Sequence, residues 1–150
     1  MIQISVGYRV VGEPALLTEV DRLAKHLDTV LPGEYRTYLL ESDGGWLEDN
    51  DQAIDEIFGV GANIGEGISI WDQLEVYDGR VPKWLLPIAR DSYGNLIALS
   101  LRLGDLGTVW FWDHEEEGDD EALPPTCENI SMISSSWTEF LDGLVSRELT

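Results

Sequence analysis

The residues of this 150-residue chain most able to do chemistry are crowded into a single run near its C-terminal third. Asp113, His114, Glu115, Glu116, Glu117, Asp119, Asp120 and Glu121 set seven carboxylates and one imidazole in nine positions. Carboxylates at that density point first to a hard cation, and Asp113, Glu115, Glu117 and Gly118 fall on loop positions one, three, five and six of an EF-hand. Position twelve must supply a bidentate Glu, but it is Pro124, so the calcium pattern fails. The Asp49-x-Asp51 pair fails sooner, because it lacks the glycine at position six. His114, between two acids, has the surroundings of a general base, yet spacing brings no Ser or Cys nucleophile beside it and a structural histidine is the expectation. His26 adjoins Lys25 on a helical stretch and is expected to be exposed; a zinc site built on either histidine would need carboxylates or the lone Cys127. Cys127, between Thr126 and Glu128, reads as a bystander thiol. The glycines of GVGANIGEG lack the spacing and the Lys-Ser/Thr of a phosphate loop. The expectation is a protein with no catalytic residues, no metal and no cofactor.

What the acids do instead follows from the charge balance. Against 29 Asp and Glu stand nine Lys and Arg, a formal charge of −20. Such a body repels polyanions and anionic membranes and attracts basic proteins, so neither direct nucleic-acid nor membrane binding is expected. Solubility alone is the simpler use of the same charge. A single cysteine excludes an internal disulfide, residues 1–11 lack the basic start of a signal peptide, and no apolar run approaches the roughly 20 residues of a membrane helix. A cytoplasmic location is expected.

Elements must position these acids. One domain over residues 1–150 is the simplest reading, and 43% hydrophobic residues are enough for a core. Ile2, Ile4, Val6, Tyr8 and Val10 alternate with polar or small residues and predict an N-terminal strand. Pro14 at a first helical position, then Leu16, Val20, Leu23 and Leu27, predict a helix to about Asp28. Pro32 opens a second helix carrying Tyr35, Tyr38 and Leu39, closed by Gly44 and Gly45. Residues 46–67 read as a long loop with a short strand or turn near 57–60. Ile70, Leu74 and Tyr77 predict a third helix, while Pro82 and Pro87 predict irregular extended chain over 81–89. Residues 95–102 and 108–112 predict a hairpin whose first strand is apolar on both faces. Ser136 and Glu139 form a capping box that opens a last helix with Phe140, Leu141 and Leu144 on one face. Trp84, Trp110 and Trp137 fall in elements expected to be buried; Trp46, Trp71 and Trp112 are those free to reach a surface.

Three pieces of this pattern, in order, carry a resemblance. LPGEYRTYLLESDGG from Leu31 is the first; Pro87-Ile88-Ala89, Asp91, Gly94-Asn95, the strand from Leu96 and Gly107 through Trp112-Asp113-His114-Glu115 make the second; SSSWTEFLDGL is the third. Together they resemble the SUKH superfamily over about residues 30–144, which contains bacterial immunity proteins of polymorphic toxin systems and relatives of a fungal regulator of cell-wall synthesis. The N-terminal strand stands outside that pattern, which usually opens on a helix. The resemblance implies an α+β fold, a single domain with a central, mainly antiparallel sheet flanked by helices.

It also implies binding rather than turnover: an immunity protein that contacts and neutralises a cognate toxin domain, a basic nuclease being the kind of toxin that the charge suits. A regulatory or scaffold protein of the same fold, serving an endogenous partner, is the alternative. The expected contact residues are the acids Glu48, Asp49, Asp51 and Asp55 and the acids Asp113, Glu115, Glu116, Glu117, Asp119, Asp120 and Glu121, with Trp46 or Trp112 as apolar anchors.

Overall fold

The computed structural model describes residues 6–61, 69–114 and 129–145. Seven strands lie in one sheet in chain order: β1 (Tyr8–Val11), β2 (Gly45–Leu47), β3 (Ile54–Ile57), β4 (Leu85–Asp91), β5 (Leu96–Ser100), β6 (Val109–Trp112) and β7 (Ile130–Ser134). Every neighbouring pair is antiparallel. Helices α1 (Leu17–Leu27) and α2 (Gly33–Glu41) connect β1 to β2, α3 (Ile70–Val76) lies between β3 and β4, and α4 (Trp137–Asp142) follows β7. This is the α+β architecture expected from the sequence.

Because the order is sequential and antiparallel, successive connections alternate between the two ends of the sheet. The β2–β3, β4–β5 and β6–β7 connections therefore share one end, called the rim below. The helical connections and the short 3₁₀ turn at Leu103–Asp105 share the other. Adjacent strands are about 4.8 Å apart, so neighbouring rim turns are about 10 Å apart.

The middle of the sheet is buried on both faces. Every residue of β5 is buried, and β4 is buried except at Arg90, which explains runs that do not alternate. Trp137 of α4 packs edge-on against Tyr35 and Tyr38 of α2 and stacks on Phe140, covering one face. On the other face Tyr77, just past α3, meets Trp112 of β6 edge-on.

Several elements differ from expectation, each for a local reason. α1 starts at Leu17 rather than Pro14, because the preceding segment is strapped down extended: the Ala15 amide donates to Leu39 O and the Asp43 amide to Glu13 O. α2 ends at Glu41, before the two glycines. Gly44 has φ +76° and a Cβ there would stand 2.4 Å from Ile57 O, so the glycine permits the close crossing of β2 and β3. The expected long loop over 46–67 contains β2 and β3, and its predicted strand near 57–60 lies earlier, at Ile54–Ile57. Short length and a bulge between Ile54 and Glu56 hide β3 from any period count. Residues 81–89, expected to be irregular, supply most of β4; Pro87 sits at a register shift, where a missing N–H costs the ladder nothing. β7 was not expected at all. In β1 a shift between Tyr8 and Val10 sends Tyr8 to hydrogen-bond Tyr38 at 2.6 Å and leaves Val10 55% exposed, so the predicted one-face alternation breaks. Residues 1–5 of that predicted strand lie outside the described residues.

Asp43 ties α2 to the chain after β3, accepting the Val60 amide at 2.8 Å and the Gly61 amide at 2.7 Å. Burial, with Glu19 nearby, holds its carboxyl above the usual value of 3.8 despite those two bonds. The folded state thus binds the proton more tightly than the unfolded chain. Its contribution to stability is full below the unfolded value and is lost as pH rises through the raised one. Asp43→Asn should therefore gain on the native chain between those two values, with a difference in urea midpoint that grows with pH and then levels off. A difference that stays flat across that window would show that Asp43 titrates normally.

Candidate functional site

The rim is where the acids separated in sequence come together. After β2 come Glu48, Asp49 and Asp51, with Asp55 in β3; Asp91 closes β4; and Asp113 follows β6. All leave the sheet at the same end. Glu115, Glu116, Glu117, Asp119, Asp120 and Glu121 continue directly from Asp113 and His114 but lie outside the described residues, as do Cys127 and Pro124.

Hydrogen bonds stitch the three rim connections to one another. The Ser92 amide donates to Ala53 O at 2.9 Å, and its hydroxyl lies 2.8 Å from Asp55 Oδ1, joining the β4–β5 turn to the β2–β3 turn. Asp91 accepts the amides of Tyr93 and Asn95, both at 2.9 Å, and the Asn95 side-chain amide at 3.0 Å. Asn95 Oδ1 in turn accepts the His114 amide at 3.1 Å. Asp113 N–H donates to Asn129 O, and the Asn129 side chain donates back to Asp113 O, closing the step to β7. Asp51 accepts the Val145 amide at 2.9 Å, so the chain after α4 is fastened to the same rim.

The individual expectations fare differently here. Asp49 is exposed and pairs with Arg9 at 2.7 Å, an exposed pair of little energetic weight. Glu48 is half-buried; Asp51 and Asp55 already hold structural bonds. Trp46 is half-buried, with the Arg90 guanidinium 5.6 Å from its ring centre. Trp112 is a correction: it is fully buried, opposite Leu96 and Ile130, and cannot be a surface anchor in this fold. The reason is register. Residues Val10, Trp46, Glu56, Arg90, Leu96, Trp112 and Ile130 stand opposite one another across all seven strands and share one face, and Tyr77 covers the Trp112 end of that row. Glu56 in the same row is 0% exposed and bonds Arg90 at 3.3 Å, so it adds nothing to the exposed acids.

Sequence reasoning missed Tyr93. It is 70% exposed at the tip of the β4–β5 turn, the middle connection of the rim, beside Gly94 at φ +88°. The turn signal Ser-Tyr-Gly-Asn marks the bend, but which end of the sheet it would reach depends on strands that the sequence hid.

The histidines take no part in a reacting constellation among the described residues. A Cβ at Gly94 would lie 3.4 Å from the His114 ring, while the Ser92 hydroxyl is directed to Asp55. His26 is exposed, edge-on to Trp71 at 5.3 Å, as its place on α1 led one to expect. No group of three or more His, Cys, Asp or Glu among the described residues could hold a metal ion, and no helix among them is long and apolar enough to cross a membrane. A cavity of about 370 Å³ opens at the opposite end, between His26, Leu74, Tyr77 and Lys83.

The cations are distributed unevenly. Of the nine Lys and Arg in the chain, the rim among the described residues carries Arg9 and Arg90, both engaged by carboxylates. Arg80, Lys83 and Arg102 lie at the other end, Arg102 stacked 3.5 Å above the Trp84 ring. Both described cations of the rim are thus already paired.

A family model described as SMI1 / KNR4 family (SUKH-1) matches residues 14–143. The chain belongs to the SMI1/KNR4 (SUKH-1) family. The SUKH-1 match begins at Pro14 and leaves β1 outside. A relative is the SPbeta prophage-derived uncharacterized protein YokK of Bacillus subtilis (strain 168), 22% identical over 157 aligned positions that span 87% of this chain and 75% of that protein. In this SUKH-1 chain the end of β6, at Asp113, and the start of β7, after Asn129, lie at the same end of the sheet as the β2–β3 and β4–β5 turns.

Proposed function

We propose that this SUKH-1 protein is an immunity protein: it binds a cognate toxin domain with a basic surface through the acidic rim and blocks it, without turnover. The observation that carries the reading is that Glu48, Asp49, Asp51 and Asp55 and the exit of β6 at Asp113 lie at one end of the sheet, on described turns braced against one another. Family membership supports the immunity class, and the prophage derivation of a relative fits a mobile toxin–immunity cargo. A braced, negative surface gives a basic partner fast encounter through long-range attraction and small entropy loss on docking. If the toxin is a nuclease, the same carboxylates stand where its polyanionic substrate would lie.

Co-expression with the product of the neighbouring gene tests this. Cells that produce that product alone should stop growing, and production of this chain should restore growth. If the neighbouring product is harmless, or harms cells equally with and without this chain, the regulatory alternative within SUKH-1 replaces the immunity reading.

A further inference from the structure

We propose that Tyr93 is the aromatic anchor of the rim and that it fits a cationic cleft which stacks a planar ring, the kind of cleft that holds single-stranded nucleic acid. This rests on the reading above and specifies the kind of partner. Tyr93 is the one Phe, Trp or Tyr among the described residues that is mostly exposed, at 70%. Turn chemistry does not ask for it. The positive φ that the hairpin requires falls on Gly94, and Asn, Asp or Gly are the usual choices beside it. Core packing does not ask for it either, since no ring contact among the described residues involves it.

Tyr93 is nevertheless held in place. Its amide is bonded to Asp91, Ser92 before it is bonded to Ala53 and Asp55, and Asn95 after it to His114. A rigid backbone and a side chain with two rotatable bonds give large contact area at low entropic cost, which is what makes tyrosine an interface anchor. Charge complementarity selects the occupant. The neighbouring rim turns, about 10 Å to either side, carry Asp51 and Asp55 on one flank and Asp113 on the other. A planar ring set between carboxylates reproduces a base between phosphates, and clefts for single strands combine a basic groove with aromatic stacking.

The experiment uses the full chain and two peptide probes, Lys-Trp-Lys-Lys and Lys-Ala-Lys-Lys, followed by amide chemical shifts at low salt. The tryptophan peptide should bind at least about fivefold more tightly than the alanine peptide, with the largest shifts at Tyr93, Asn95 and His114. Tyr93→Ala should erase that preference at an unchanged urea midpoint, and Tyr93→Phe should keep it. Equal binding of the two peptides by the native chain, or shifts centred elsewhere, would overturn the anchor. Loss of the peptide preference leaves protection in co-expression intact as a separate result, and failure of protection leaves the peptide result intact, so the two proposals fail separately.

Discussion

Trp112→Ala should destabilise the fold by about 3–5 kcal/mol, read as a lower urea midpoint at unchanged slope. The sequence leaves this residue free to reach a surface; the structure buries it completely, opposite Leu96 and Ile130 and under the Tyr77 ring at 5.4 Å between centroids. Removing the indole empties a volume that β5, β6 and the α3 end cannot close without breaking their own ladder bonds. Its Nε1–H finds no hydrogen-bond partner among the described residues, so Trp112→Phe should cost well under half as much: it loses packing but also removes a buried donor left unsatisfied there. Trp46→Ala is the contrast. Trp46 is half-buried, with the Arg90 guanidinium 5.6 Å from its ring centre, so its loss should move the midpoint far less. Equal effects at the two positions would show that the row across the sheet is not covered at one end and open at the other.

Neutralising the rim should have the largest functional effect. Changing Glu115, Glu116, Glu117, Asp119 and Asp120 to Gln or Asn removes five charges from a chain of formal charge −20 while leaving Asp51, Asp55, Asp91 and Asp113, which hold the turns together. Electrostatic steering raises association rates by about 10- to 1000-fold, so the variant should lose a factor in that range in on-rate towards its basic partner. Stability should stay the same or rise slightly, since self-repulsion falls. Adding Asp49→Asn should lower the rate further by about the effect of one more charge, since it leaves the Arg9 guanidinium unpaired.

How much of this was legible beforehand depends on the signal each element carries. Strands β5 and β6 are legible because buried apolar runs bounded by glycine are strong signals, and α4 because Ser136 caps it, accepting the Glu139 amide at 3.1 Å. The capping box was only half right, since the Glu139 carboxylate turns to the Ser135 hydroxyl. Strands β2 and β3, of three and four residues, were lost among acids and glycines. They form because Gly44 and Gly45 admit backbone contacts of 2.4 and 2.3 Å to a would-be Cβ, a tertiary reason invisible in a local window. β7 carries no clear signal because ISMIS breaks alternation at Met132 and Ile133 within five positions, and both of those residues stay exposed, at 50% and 43%.

The candidate site was legible in composition but not in geometry. That acids cluster at 48–55 and 113–121 is plain; that residues 48–55 and Asp113 leave the same end of the sheet requires knowing that β2 precedes and β3 follows the first cluster, since without them it would belong to a connection at the opposite end. The same gap concealed Tyr93 and misplaced Trp112. Sheet register put Trp112 inside, a fact that its neighbours Phe111 and Asp113 do not betray.

Recruitment of a basic toxin domain by the rim, as proposed, should show first in the salt dependence of association. With the neighbouring gene's product as the proposed partner, the association rate constant would be measured by stopped flow from low to physiological ionic strength, for the native chain and for the five-residue variant. The native rate should be high and fall steeply with salt, while the variant's should be low and nearly flat, the two approaching each other as screening grows. Superimposable rates for the two proteins at every ionic strength would contradict the acidic rim as the binding surface.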